Sequence, residues 1–161
     1  MKRSINSLSQ TLLNSSKKLA IAVALLLTVG VTSSFATPND KTDVIKASFR
    51  KDFKKAELME MEAGDSYNKL TFKMNDMVLY AFYTDNGELL AVTRNIKSSQ
   101  LPIQLLLELK RDYANYWITD LFEFNGDGSN SYYVTLENAD TSVTLRATSS
   151  DNWQLYSRKN K

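Results

Sequence analysis

Apolar residues fall at three different spacings along this chain. From Leu19 to Val31 they form a run broken only by Thr28 and Gly30. From Ile45 the interval becomes four: Ile45, Phe49 and Phe53 recur with Lys46, Arg50, Lys51 and Lys54 around them, which is one buried face of a helix. Asn39, Asp40 and Asp43 suit its N-terminal end, where oxygens meet unpaired N–H groups and the positive end of the dipole. Beyond the helix the interval falls to two. Leu70, Phe72 and Met74 alternate with Thr71 and Lys73, then Asn75-Asp76 turns the chain into Met77 to Thr84. Asp85-Asn86-Gly87 turns it again into Glu88 to Arg94; Asn-Gly is a strong hairpin signal because both residues tolerate positive φ. Ala56 to Ala63, with Met59 and Met61 on one side, is expected as a preceding strand.

The same order then recurs. Ser98, Ser99 and Pro102 open a second helix, with Leu105, Leu106, Leu109 and Tyr113 as its buried side. Trp117 to Phe124 reads as a strand and Asn125 to Asn130 as a loop. Tyr132, Val134 and Leu136 alternate, Asn138-Ala139-Asp140 turns into Thr141 to Thr148, and Asp151-Asn152 turns into Trp153 to Ser157. Setting Asp85-Asn86 on Asp151-Asn152 places Leu79 on Leu145, Ala81 on Ala147 and Leu89 on Leu155. The pattern therefore predicts an α+β domain over residues 37–161, in halves of approximately 39–97 and 98–161. Each half is a helix followed by an antiparallel meander.

Charge gives the first apolar run its meaning. Lys2, Arg3, Lys17 and Lys18 precede or flank it, and no acidic residue occurs before Asp40. Ser34-Phe35-Ala36 supplies small residues at the −3 and −1 positions of a cut after Ala36, completing the three-part pattern of a secretory signal peptide over residues 1–36. As a helix the thirteen-residue run rises only about 20 Å, short of the roughly 30 Å hydrocarbon core. A periplasmic or secreted protein is expected, with no stable membrane insertion after cleavage. Four of the 20 cations leave with this segment and none of the 18 acids does. The remaining 16 against 18 offer no basic stripe for a phosphate backbone, so nucleic-acid binding is not expected.

The chain has no cysteine and no histidine. Disulfides, lipid attachment at a cleavage-site cysteine, thiol nucleophiles, imidazole bases and Cys/His metal sites are thereby excluded. No cofactor, metal or lipoprotein anchor is expected, and an exported domain of this size must rest on its core alone.

The residues Val44-Ile45-Lys46-Ala47-Ser48-Phe49, the aromatic strand and turn Tyr80 to Leu90, Gln100-Leu101-Pro102 before the second helix, and Tyr132 to Glu137 form an ordered set. In this set the chain resembles the PepSY-like domains with a β-lactamase-inhibitor-like (BLIP-like) architecture found in envelope proteins of Bacteroidetes. The resemblance covers roughly residues 40 to 158. It implies two tandem α-β4 units forming one curved sheet with the helices on one face. It provides no catalytic residues.

The remaining candidates are weighed on their chemistry. Asn125-Gly126-Asp127-Gly128-Ser129-Asn130 superficially suggests calcium, but the sixth position lacks glycine and the twelfth, Leu136, is not glutamate. Glu57, Glu60, Glu62, Asp120 and Glu123 fall on predicted strands, where a carboxylate-based hydrolase would need two of them held about 5 to 9 Å apart across a cleft. Solvated strand faces account for them more simply. Aromatic residues are the better candidates, being both core fillers and interface anchors. The match of the two halves puts Tyr80, Phe82 and Arg146 on an exposed sheet face away from the helices, with Tyr133 beside them. Trp117, out of phase with Ile118, Phe122 and Phe124, is expected there too. The function expected is a non-enzymatic binding module, a monomer that uses this face for an unidentified envelope protein or peptide. The alternative is a structural or stress-related envelope protein without a ligand.

Overall fold

The computed structural model describes residues 40–126 and 128–161. The signal-peptide reading of residues 1–36 lies outside them. Helix α1 spans Asp40–Asp52. Strands β1 (Glu57–Ala63), β2 (Asn68–Met74), β3 (Met77–Tyr83) and β4 (Leu89–Asn95) follow. A 3-10 turn over Ser98–Gln100 leads into α2 (Ile103–Asp112), and β5 (Trp117–Gly126), β6 (Ser129–Glu137), β7 (Thr141–Thr148) and β8 (Gln154–Asn160) complete the chain. The strands form an antiparallel sheet in sequence order, β1 to β8. The protein is thus α+β.

The tight turns set the registers. At Asn75-Asp76 both residues have positive φ, 50° and 61°, and Met74 pairs with Met77, so this is the two-residue primed turn that matches strand twist. Asn86-Gly87 behaves differently. Only Gly87 is left-handed there, at φ 76°, and its N–H donates to the Thr84 carbonyl at 3.0 Å, a longer turn whose left-handed residue closes the loop. The candidate loop at 125–130 is mostly strand: Asn125 and Asn130 face one another across the β5–β6 hairpin, joined through their side chains.

One face of the sheet carries both helices. Ile45 and Phe49 of α1 pack on Leu70, Phe72, Leu79, Ala81 and Tyr83. Phe53 lies just past the helix end, yet its N–H still reaches the Phe49 carbonyl at 2.8 Å and its ring lies 4.7 Å from Phe72. Leu105 and Leu109 of α2 pack on Leu121, Val134, Leu136, Val143, Leu145 and Ala147. Leu106 and Tyr113, expected in the buried side, are only partly covered. Burying each aliphatic or aromatic side chain contributes about 1.5–3 kcal/mol, so the helices are held chiefly by these contacts. Polar ties fix their ends: the Tyr83 hydroxyl donates to Asp52 at 2.9 Å, and the Trp153 indole N–H donates to the Leu105 carbonyl at 2.9 Å.

Bulges shift the strand phase in β1, β4, β5 and β8. In β1 the extra residue is Met59, which is exposed while Met61 faces the core. The two therefore do not share a side as expected from spacing. The outer strands β1 and β8 both carry a bulge, and β1 adds Glu57, Glu60 and Glu62 while β8 adds Arg158 and Lys159. Bulges and charges are the devices that keep a sheet edge from pairing with another chain.

Candidate functional site

Among the described residues no helix packs on the opposite face. Alternation along the strands assigns it Tyr80 and Phe82 from β3, Tyr133 from β6 and Arg146 from β7. Their rows cross the sheet in register: Thr71, Tyr80, Thr93, Phe124, Ser131 and Thr148 form one, and Asn95, Phe122, Tyr133, Arg146 and Gln154 the next. Trp117 is on the same face, but in the row with Glu137 and Lys159, at the other end of β5.

Exposure corrects the expectation for two of these residues. Phe82 is 0% exposed and Tyr133 1%. They are buried because aromatic neighbours cover them without any helix. Phe82, Ala91, Phe122, Phe124 and Tyr133 form one cluster, with Tyr67, Tyr80, Leu90 and Tyr156 packed against it. Phe122 stacks on Tyr133 at 5.1 Å, Tyr156 meets Tyr133 edge-on at 5.4 Å, and Tyr67 meets Phe82 edge-on at 5.4 Å. Gly126 makes room for this layer, since a Cβ there would stand 2.7 Å from the Phe124 ring.

Phe122 and Phe124 were expected on the face opposite Trp117. The bulge between Ile118 and Asp120 explains the difference. It inserts Thr119, so Ile118 points to the helix side while Trp117, Phe122 and Phe124 all point away. No residue type near Thr119 signals the insertion. Tyr67, in a loop, and Tyr156, in the β8 bulge, are the other members that alternation does not reveal.

Three of the predicted residues remain accessible. Tyr80 is half-buried, with the Lys69 ammonium 5.2 Å from its ring centroid. It also lines a depression of about 290 Å³ with Met77, Val78, Arg94, Asn95 and Gln100. Trp117 is 55% exposed, with Lys161 5.8 Å from its ring. Arg146 is partly buried over Tyr133, its guanidinium carbon 5.9 Å from the ring, and donates to Ser131 Oγ at 3.2 Å. Its Nε is buried with no hydrogen-bond partner. Burial pushes the Tyr133 and Tyr156 hydroxyls up, with Arg146 opposing the rise in both.

The carboxylates are dispersed. Glu57, Glu60 and Glu62 lie on the edge strand β1, opposite Lys73, Thr71 and Lys69. Glu123 is on the helix side, paired with Arg94 at 2.6 Å. Asp120 is alone on β5 of the helix-free face, its carboxyl raised by burial and held down in part by the Leu121 N–H. Among the described residues no group of three or more acidic side chains is placed to hold a metal ion.

No family model matches this chain, and no curated protein matches it. Solved structures do. A BLIP-like protein from Bacteroides fragilis is 17% identical, with a TM-score of 0.64 over 79% of this chain and 89% of that one. A DUF2874 family protein from Bacteroides ovatus is 16% identical, with a TM-score of 0.64 over 78% and 89%. A candidate periplasmic protein from Bacteroides eggerthii is 9% identical, with a TM-score of 0.64 over 78% and 90%. The fold is BLIP-like. At these identities the likeness shows the fold alone. Among the described residues no helix is long and apolar enough to cross a membrane.

Proposed function

We propose that this chain is an exported, non-enzymatic binding module that engages a protein or peptide through its helix-free sheet face. Tyr80, Trp117 and Arg146 make the contacts, while Phe82 and Tyr133 hold the face in shape from beneath. The observation that carries the reading is Arg146, a guanidinium on that face with no carboxylate partner among the described residues. A partly buried charge held only by neutral hydroxyls and a ring face is incompletely compensated, which favours a partner that supplies the opposite charge. Scattered carboxylates and the absence of histidine and cysteine favour binding over a carboxylate-based hydrolase.

The same reading takes residues 1–36 as a signal peptide cleaved after Ala36, without lipid attachment, and residues 37–161 as a periplasmic or secreted monomer. A PepSY-like ancestry with two tandem α-β4 units belongs to it as well. Supporting the doubling, Phe53 N–H donates to the Phe49 carbonyl and Ala56 N–H to Phe53, just as Tyr113 N–H donates to Leu109 and Tyr116 N–H to Tyr113. A bulge follows at the third residue of both β1 and β5. The turn bonds Gly87 to Thr84 and Asp151 to Thr148 match Ala81 with Leu145, a two-residue shift from the match read off Asp-Asn. Such a shift preserves every side chain's face.

Panning a random linear peptide display library on the purified protein tests the proposal. Peptides are expected to bind, and a Tyr80→Ala/Trp117→Ala double variant that melts like the parent is expected to release them. Binding unaffected by the double variant would sink the reading. So would the absence of any bound peptide, which would favour a shielding role for the aromatic layer.

A further inference from the structure

Each end of the helix-free face carries one cross-strand ion pair and charges that stand outside it. Along β1 and β2, Glu62 pairs with Lys69 at 3.0 Å, while Lys73 is held by Asp76 of its own turn at 3.2 Å and Glu57 and Glu60 have no ion pair among the described residues. Along β7 and β8, Lys161 is held by Glu137 at 2.6 Å, but Arg146 and Lys159 have no ion pair among the described residues. Arg146 is the more constrained of the two. Its partners are all neutral: Ser131 Oγ takes one Nη, the Tyr133 ring lies beneath the guanidinium and the Tyr133 hydroxyl is hydrogen-bonded to it, while the buried Nε has no acceptor. The backbone N–H groups of β6 and β7 are committed to the ladder between them, so the site has no cradle of amides for a phosphate. What remains for a ligand is the outer edge of the guanidinium beside aromatic walls, a fixed positive charge with N–H donors that suits a carboxylate oxygen.

We propose that Arg146 is the anchor for a carboxylate: the helix-free face accepts a protein segment that sets an Asp or Glu side chain against this guanidinium, between Tyr133, Tyr156 and Ser131. This rests on the binding reading of the face and specifies its partner's chemistry. The low-dielectric surroundings supplied by Phe122, Tyr133 and Tyr156 strengthen such a pair relative to one in water. Lys159 stands opposite Ser142, four residues along β7 from Arg146, too far to share the contact.

The test uses peptides selected by the purified protein, resynthesised with each Asp or Glu replaced by Asn or Gln, and titrated calorimetrically. On the parent, one acid-to-amide change is expected to weaken binding by about tenfold or more. On Arg146→Met the same change should have no effect, and Arg146→Lys should retain part of the discrimination because it keeps the charge without the fork. Arg146→Met is expected to melt within a few degrees of the parent, since it removes a charge with no internal counter-ion and keeps an apolar side chain over the Tyr133 ring. Peptides that are released by Tyr80→Ala/Trp117→Ala yet ignore both the acid-to-amide change and Arg146→Met would overturn the anchor and leave the binding reading intact. Failure of any peptide to bind would remove both. A marked drop in the melting temperature of Arg146→Met, with acid discrimination absent in Arg146→Lys, would assign the guanidinium to the fold and overturn the inference.

Discussion

The two faces of the sheet reach similar burial by different means. On the helix side, aliphatic residues such as Leu70, Val134 and Leu145 are sealed by Ile45, Phe49, Leu105 and Leu109 from α1 and α2. On the other side no helix of the described residues arrives, and the rings of Phe82, Phe122, Phe124, Tyr133 and Tyr156 form one cluster. A sheet face without a second layer can thus be dry in its middle and chemically open at its rim. The middle behaves as core, and the rim, with Tyr80, Trp117 and Arg146, stays at least partly accessible. Large aromatic side chains allow this because each ring reaches across neighbouring strands.

The sharpest way to break that comparison is to truncate one ring on each face. Phe72→Ala, under α1, and Phe82→Ala, on the helix-free side, are each expected to cost about 3–5 kcal/mol, measured by denaturant unfolding. If Phe82→Ala cost less than about 1 kcal/mol, well below that range, the second face would be a surface layer and not a core.

Face membership was legible in the sequence wherever strands are regular. Tyr80, Phe82, Tyr133 and Arg146 all fall on the helix-free face, because an even-numbered slip between the two halves leaves alternation unchanged. Exposure was not legible, since it depends on what neighbouring strands contribute. Phe122 and Phe124, which cover Tyr133, were read on the wrong face because the bulge at Thr119 reverses the phase without a marker in residue type. The primed turn also moved: Asn75-Asp76 adopts it, and Asn86-Gly87 does not, because the side-chain and backbone bonds of Thr84 to Glu88 close a longer loop. That Arg146 meets neutral groups and no carboxylate among the described residues is a tertiary fact that no local pattern contains.

Alkaline titration probes both faces together. Six tyrosines, Tyr67, Tyr83, Tyr113, Tyr132, Tyr133 and Tyr156, are raised above the ordinary value of 10.0, in each case chiefly by burial. For Tyr83 the hydrogen bond to Asp52 adds to the rise. The folded chain therefore holds phenolic protons that the unfolded chain releases, and stability falls as pH rises from about 10 through the folded values. The tyrosinate absorbance of these six and the loss of circular dichroism should appear together. Ionisation of all eight tyrosines near pH 10 with the fold intact would contradict the burial on both sides.

Smaller effects separate middle from rim. Gly126→Ala drives a Cβ toward the Phe124 ring and is expected to cost about 1–3 kcal/mol. Trp117→Ala should change stability by no more than about 0.5 kcal/mol, as befits an exposed side chain. Equal losses at the two positions, read by thermal melts, would erase the distinction between them.

The central claim is that one sheet face divides into a structural middle and a binding rim. A deep mutational scan that reads cellular abundance and capture of a selected peptide in the same library measures both properties at once. Substitutions at Phe82 and Tyr133 are expected to lower abundance, while those at Tyr80, Trp117 and Arg146 lower capture at full abundance. Five positions that moved only in abundance would contradict the account.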